Sequence, residues 1–305
     1  MSSPVTPATR VPQAAARRLR RHLGLPARRA GSSAEAVAGR LELVVTLAAI
    51  VAMSAVVPGP VVWLIAALVL AGTILATLQL LADVDVTAAD SGIPVEALLV
   101  PAVAALGAVG VIRVVPLGLA VVGALVLVAI LIDRVIAVET QIAASPDGAA
   151  EDDRPRALAA MLVVALVAFV GVAAIVPNGL AGTAPDGSPA PPLPIGDLAL
   201  LALADAVVAG LLGYRAAALR LATARDALWA SVTSAVAIAL GAAALRAMGI
   251  PRLIGPALLM LLFYLWDSVH AAPSARRRDP RWIWETVVLA GLGAAIAFWN
   301  LRLVG

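Results

Sequence analysis

The chain of 305 residues lacks two residue types altogether and has little of two other features. It contains no cysteine, which excludes disulfide bonds, thiolate metal sites and cysteine nucleophiles. All 22 basic residues are arginine, and without lysine no Gly-x-x-x-x-Gly-Lys phosphate loop can form. The two histidines, His22 and His270, are too few for a metal site built from histidine alone. Charged residues make up 13% of the chain, against about 25% in an ordinary soluble domain.

Sequence motifs of the common enzyme classes are absent too. The chain has no Gly-x-Ser-x-Gly nucleophile turn and no His-Glu-x-x-His metal helix. Beyond a basic N-terminal segment, nothing indicates nucleic-acid binding. We therefore expect no catalytic residues, no metal, no cofactor and no enzymatic activity.

One acidic segment leaves an enzymatic alternative open. Asp83, Asp85 and Asp90, followed by Glu96, have an Asp-x-Asp pattern, and such carboxylates can hold Mg²⁺ against phosphate oxygens in membrane lipid enzymes. The other interpretation is a solvated loop between two spans, because the segment contains no basic residue that would bind a phosphate.

Apolar sequence is what the chain has in abundance. Hydrophobic residues make up 62% of it, and its mean hydropathy is +1.00. A transmembrane helix takes about 20 apolar residues, so nine would occupy roughly 60% of the chain. The sequence predicts an all-α, polytopic integral membrane bundle of about nine transmembrane helices. The apolar runs fall at 41–57, 61–81, 96–112, 115–135, 157–176, 197–214, 227–247, 252–270 and 282–301.

The chain divides into an N-terminal tail and a single membrane domain. Residues 1–40 carry eight arginines against one acid, Glu35, and we expect them to form a disordered cytoplasmic tail. The arginine cluster at 17–25 is predicted to contact anionic lipid headgroups. Residues 41–305 are expected to form one transmembrane domain whose surroundings are the lipid bilayer.

The arginine distribution predicts the orientation of the bundle. With the N-terminus in the cytoplasm and the spans alternating, 18 of the 22 arginines lie inside. The excess agrees with the positive-inside rule. Nine spans then place the C-terminus outside, and the alanine- and arginine-rich composition favours the cytoplasmic (inner) membrane of a bacterium. The four arginines on the outer side are Arg113, Arg246, Arg252 and Arg302.

Two segments of the chain resemble each other. A shift of 134 residues places Ala105–Ala108 on Ala239–Ala242 and Asp133 on Asp267. A duplication would make residues 41–137 and 157–271 two parallel copies of four spans, with 282–303 as an additional helix, since copies with an even number of spans share one orientation. Chance identity is the alternative, because the chain is rich in alanine, valine and leucine.

Asp205 is the acid that no membrane interface explains. It lies eight residues into the predicted sixth span, about 12 Å of helix rise beyond Asp197. An ionisable group at this depth costs about 2.5–3.5 kcal/mol on insertion scales. It is either a carboxylate that binds a proton or cation inside the bundle, or a structural hydrogen-bonding group.

Asp133, Asp267 and His270 form a second set of candidates. The two acids lie at the predicted cytoplasmic ends of the fourth and eighth spans, where a carboxylate opposes the helix dipole. His270 lies one turn after Asp267, within reach of it. These residues are either gate or substrate groups, or markers of the point where the chain meets water.

The other polar and small residues in the spans have structural interpretations. Helix-end positions are predicted for Glu42, Glu96, Asp197, Glu285, Arg113 and Arg246. Close helix packing is predicted for Ser231, Ser234, Gly210, Gly213 and Gly291.

Three functional classes follow from these observations. The first is a transporter or permease for a small molecule or ion, favoured by the repeat and by Asp205. The second is a non-catalytic membrane subunit or scaffold of a larger complex, favoured by the scarcity of buried charge. The third is a membrane lipid-processing enzyme that uses Asp83 and Asp85.

Overall fold

Helices form nearly all of the regular structure of this chain. The computed structural model describes residues 10–11, 33–57, 61–84, 93–144, 153–177, 179–180, 193–221, 223–250, 253–273 and 275–303. Within these residues there are nine α-helices. They are α1 (Ser33–Met53), α2 (Val61–Val84), α3 (Leu99–Val114), α4 (Leu119–Ala144), α5 (Asp153–Ile175), α6 (Ile195–Ala218), α7 (Ala224–Ala247), α8 (Ile254–Ala271) and α9 (Pro280–Leu303).

Short irregular elements connect some of these helices. In the described ranges, the strand β1 (Arg10–Val11) pairs antiparallel with β2 (Ile93–Pro94). A 3-10 turn at Val95–Leu98 leads into α3, and another at Arg276–Arg278 precedes α9. Proline at the first position of α9 suits a helix start, because its missing N–H has no partner in a first turn.

Among the described residues, eight helical spans are long and apolar enough to cross a bilayer, and they are α2 to α9, with α3 lengthened by the 3-10 turn before it to Val95–Val114. The chain is therefore a multi-pass helical membrane protein. The remaining helix, α1, is not among the eight by length and composition of its described part. It begins at Ser33, inside the segment predicted to be a tail, so Glu42 lies within the helix and not in its first turn.

The helices pack around two hydrophobic clusters. One joins α1, α2, α3 and α4, with Leu47, Val69 and Ile132 at its centre. The other is built from α5, α6, α7 and α8, with Phe169, Leu212 and Phe263 among its members, and also takes residues from α3 and α4. Helix α3 is the most deeply buried of the eight spans, whereas the α9 span is mostly exposed and α9 packs mainly on α8.

A glycine seam between α3 and α5 joins the two groups of helices. A Cβ added at Gly107 would lie 2.8 Å from Ala168 Cα, and one added at Gly110 would overlap the backbone of Gly171. Glycine is required at these positions because the two backbones are in contact. The seam holds the two clusters together at the centre of the bundle.

Two helices extend at their C-terminal ends well beyond the apolar runs that predict them. Helix α4 continues to Ala144, not 135, and α6 continues to Ala218, not 214. Charged residues lie at the start of each extension or within it, and these residues are Asp133, Arg134, Glu139 and Arg215. Other helices cover Glu139 and Arg215 and partly cover Asp133, whereas Arg134 is exposed.

Candidate functional site

Asp205 lies inside the bundle on α6. The helix begins after Pro194 and has Asp197 in its first turn, as predicted. Asp205 is ten residues beyond Ile195, about 15 Å along the helix axis. Its side chain is 1% exposed, and its Oδ1 atom has no hydrogen-bond partner among the described residues. The structure therefore places a carboxylate oxygen inside the bundle, buried and without a hydrogen bond from the described residues.

A small cavity adjoins this carboxylate. It lies between the C-terminal parts of α5 and α7, the first half of α6 and the start of α8. The cavity offers about 30 Å³ to the centres of water molecules, and one water needs about 10–15 Å³ by that measure. Its walls are Phe169, Ala173, Gly179, Leu201, Asp205, Ala242, Leu245, Arg246, Ile250, Gly255, Pro256 and Leu259.

Arg246 is the second charged side chain at the cavity. It lies in the last turn of α7, as predicted, and is half-buried. A cation near a helix C-terminus interacts favourably with the helix dipole. The cavity thus has one acidic and one basic group in an otherwise apolar wall.

A buried ion pair lies toward the opposite end of the bundle. Arg215 near the end of α6 donates from Nε to Glu139 Oε1 at 3.2 Å and from Nη2 to Glu139 Oε2 at 2.5 Å. The two side chains are 5% and 2% exposed. Glu96, in the 3-10 turn before α3, is close enough to act electrostatically on Glu139. Arg215 is ten residues beyond Asp205, about 15 Å along α6.

Asp133 and Asp267 also pair with arginines at this end. Arg40 of α1 donates from Nε to Asp133 Oδ1 at 2.7 Å. Arg220, just after α6, binds both oxygens of Asp267 at 2.9 and 2.6 Å. All four side chains are partly exposed. The two acids therefore join helices to one another near the edge of the bundle.

His270 does not contact Asp267 in the way that its spacing predicts. Its Nδ1 atom lies 2.8 Å from the carbonyl oxygen of Trp266, and its ring stacks on the Trp266 ring at 4.3 Å. The carboxylate of Asp267 is instead occupied by Arg220. The histidine is exposed.

The ion pairs do not follow the predicted repeat. Under the shift of 134 residues Asp133 corresponds to Asp267, but their partners do not correspond, because Arg40 belongs to the first helix of one copy and Arg220 follows the second helix of the other. The aligned acids thus make different connections.

The acidic segment of the enzymatic interpretation is mostly outside the described residues. This applies to Asp85 and Asp90 and to the side chain of Asp83, and it applies equally to the arginine cluster at 17–25. Glu96 is half-buried in the 3-10 turn. In the part of the chain that the structure describes, no three acids or histidines are grouped so that they could hold a metal ion.

The sequence indicated Asp205 but not the Glu139–Arg215 pair. Both members of the pair lie just beyond the ends of apolar runs, where a charged residue is normally assigned to a loop. The available signal was their position next to those runs, since Glu139 is one and a half turns after Asp133 and Arg215 follows the sixth run directly.

Comparison with protein-family models, with curated protein sequences and with solved structures gives no match in any of the three. No activity, substrate or partner is carried over from a relative, and function has to be inferred from where the charged groups lie in the bundle.

Proposed function

We propose that this protein is a transporter-like protein of the bacterial inner membrane that moves a small cation or proton, with Asp205 as the group that carries it. The supporting observation is the buried Oδ1 atom of Asp205, which has no partner among the described residues and adjoins a cavity. A carboxylate at membrane depth is costly, and such residues commonly mark ion or proton pathways.

The distribution of charge along α6 supports this function. Asp205 lies at the cavity, whereas Arg215, farther along the helix, is held by Glu139 in a buried pair. At that end Arg40, Arg215 and Arg220 pair with Asp133, Glu139 and Asp267, so the positions of these residues have a structural reason. The Oδ1 atom of Asp205 has no hydrogen-bond partner among the described residues, and a ligand gives its position a reason.

Flux through reconstituted protein tests this function. The purified protein is placed in vesicles containing a pH-sensitive dye, and proton entry is followed under a potassium diffusion potential. Sodium entry is followed in parallel with a radioactive tracer. We expect flux of one of these ions in the wild type, and we expect Asp205→Asn to reduce it to the rate of protein-free vesicles, because the amide has the same shape but takes up neither a proton nor a cation.

Asp197→Asn is the matched control for this variant. It removes a carboxylate from the same helix, but in the first turn and outside the cavity wall, so we expect it to retain wild-type flux. Unchanged flux in Asp205→Asn, or a folded wild type that conducts neither ion, would contradict the proposal.

The second candidate is a non-catalytic membrane subunit. It is favoured by α9, whose span is mostly exposed and which packs mainly on α8. If the protein is such a subunit, we expect the proton and sodium flux of the wild type and of both variants to equal that of protein-free vesicles.

A further inference from the structure

The wall of the Asp205 cavity restricts what the carboxylate can bind. Its other side chains are those of alanine, leucine, isoleucine, phenylalanine, proline and arginine, with glycine between them. Among the wall side chains that the structure describes, Asp205 alone contributes oxygen atoms. The ligand has to be one that a single carboxylate can hold.

A metal cation needs more oxygen atoms than the described side chains of this wall supply. Calcium takes six to eight oxygen ligands and magnesium takes six in octahedral geometry. Selective potassium filters replace the hydration shell with rings of carbonyl oxygens. One carboxylate does not replace a hydration shell, and a cavity with space for a few waters at most does not admit a hydrated ion.

The charge of Arg246 disfavours divalent cations in particular. A guanidinium at the same small cavity repels any added positive charge, and repulsion is strong in surroundings of low dielectric constant. A divalent metal ion therefore meets twice the repulsion that a proton or another monovalent cation meets. A proton raises the net charge of the carboxylate and the guanidinium together from zero to +1, and it does so by neutralising the carboxylate.

The other charged groups on helices packed against α6 are directed elsewhere. Arg113 at the end of α3 donates to the carbonyl oxygens of Ser54 and Val57. The charged residues of α4, α5, α7 and α8 whose side chains the structure describes, other than Arg246, lie toward the ion-pair end of the bundle. They are Asp133, Arg134, Glu139, Arg154, Arg156, Arg225, Asp226, Asp267 and His270.

We propose that Asp205 binds a proton and not a metal cation, with water in the cavity as the carrier. This rests on the proposed function and names its substrate. A hydronium ion transfers its proton to Oδ1, which forms one O–H bond and leaves neutral water beside a neutral carboxyl group. Release is the reverse step, in which the O–H bond breaks and water takes the proton. Both steps transfer a proton without oxidation or reduction, and neither needs another reactant.

Infrared difference spectroscopy of the protein in lipid films tests this binding directly. Spectra are recorded between acidic and alkaline buffers and searched for the C=O stretch of a protonated carboxyl group. We expect a band in the wild type that is absent from Asp205→Asn and retained in Asp197→Asn. Replacement of choline chloride by sodium, potassium or magnesium chloride should leave the band and its titration midpoint unchanged.

A conservative variant covers the case in which Asp205→Asn does not fold. Asp205→Glu keeps a titratable group in the cavity and should shift the frequency of the band without removing it. A band that persists at its wild-type frequency in Asp205→Glu, or a midpoint that moves with sodium, potassium or magnesium, overturns the assignment.

This readout separates the present inference from the proposed function. A band that depends on Asp205, in a protein without flux, upholds proton binding and contradicts transport. Sodium flux with a sodium-sensitive band upholds transport and contradicts proton binding.

Discussion

Glu139 and Arg215 show how two charged side chains are accommodated inside an apolar bundle as an ion pair. Each would be costly if buried alone, but the guanidinium donates two hydrogen bonds to the two oxygens of the carboxylate. The desolvation of both groups offsets much of this attraction. The pair therefore contributes little net stability, whereas the loss of one member leaves an uncompensated charge.

This reasoning predicts a non-additive response to substitution. Glu139→Gln should lower the free energy of unfolding by about 3–5 kcal/mol, because Arg215 then remains charged and buried. The double variant Glu139→Leu/Arg215→Met should recover most of this loss, since both charges are gone. Equilibrium unfolding in mixed detergent micelles measures both effects.

The exposed pair between Arg281 and Glu285 provides the control. Its side chains are 87% and 58% exposed, so Glu285→Gln should change the free energy of unfolding by no more than about 0.5 kcal/mol. A double variant at 139 and 215 that is less stable than either single variant would show that the two charges are not coupled.

For single residues, the sequence shows which charged group is unfavourably placed more readily than it shows which residue pairs with it. Asp205 was recognisable as a candidate because an acid well inside an apolar run has to be explained. The partners of Asp133 and Asp267 were not, because Arg40 and Arg220 are distant in the sequence and only packing brings them near.

Among the helices, α3 and α5 approach each other until their backbones are in contact. Gly107, Gly110 and Gly171 permit it, since added side-chain atoms would meet backbone and not a movable side chain. Backbone cannot adjust by rotating a side chain, so a substitution here has to push the helices apart.

Gly110→Ala is predicted to destabilise the bundle by about 1–3 kcal/mol or more, which is the usual range for overpacking. Thermal unfolding in detergent, followed by tryptophan fluorescence, measures the change. Gly123→Ala on α4 is the control, because the added Cβ has open space and alanine favours a helix over glycine by about 1 kcal/mol. Equal Tm values for the two variants would contradict the close contact.

The sequence predicted helices better than it predicted their contacts. The apolar runs correspond to all nine helices, and Pro, Gly and charged residues separate them. Gly210 and Gly213 pack against Ser231 and Ser234 as predicted, but Gly291 has open space around its added Cβ. The role of Gly107 and Gly110 was missed because a glycine in an apolar run does not show which neighbour it faces.

The whole bundle has a strongly unequal distribution of arginine. Eighteen of 22 lie on one side if the spans alternate from a cytoplasmic N-terminus. The ion pairs of Arg40, Arg215 and Arg220 lie together at one end of the helices. This arrangement acts during membrane insertion, where the arginine bias sets the orientation of the spans.

Reporter fusions test the predicted orientation. Alkaline phosphatase fused after Gly305 should be active, because nine spans place the C-terminus outside the cytoplasm. The same reporter fused after Pro273, beyond α8, should be inactive, and a fluorescent protein at that position should be fluorescent. A fluorescent protein that is bright after Gly305 would contradict the nine-span topology.

The depth of Asp205 has an electrical consequence. It lies about 15 Å along α6, and a bilayer core is about 30 Å thick. A charge that reaches Asp205 from the cavity end therefore crosses about half of the membrane field. The full field contributes about 2.3 kcal/mol per charge per 100 mV. The membrane potential therefore changes the free energy of binding a charge at this carboxylate by about 1.2 kcal/mol per 100 mV.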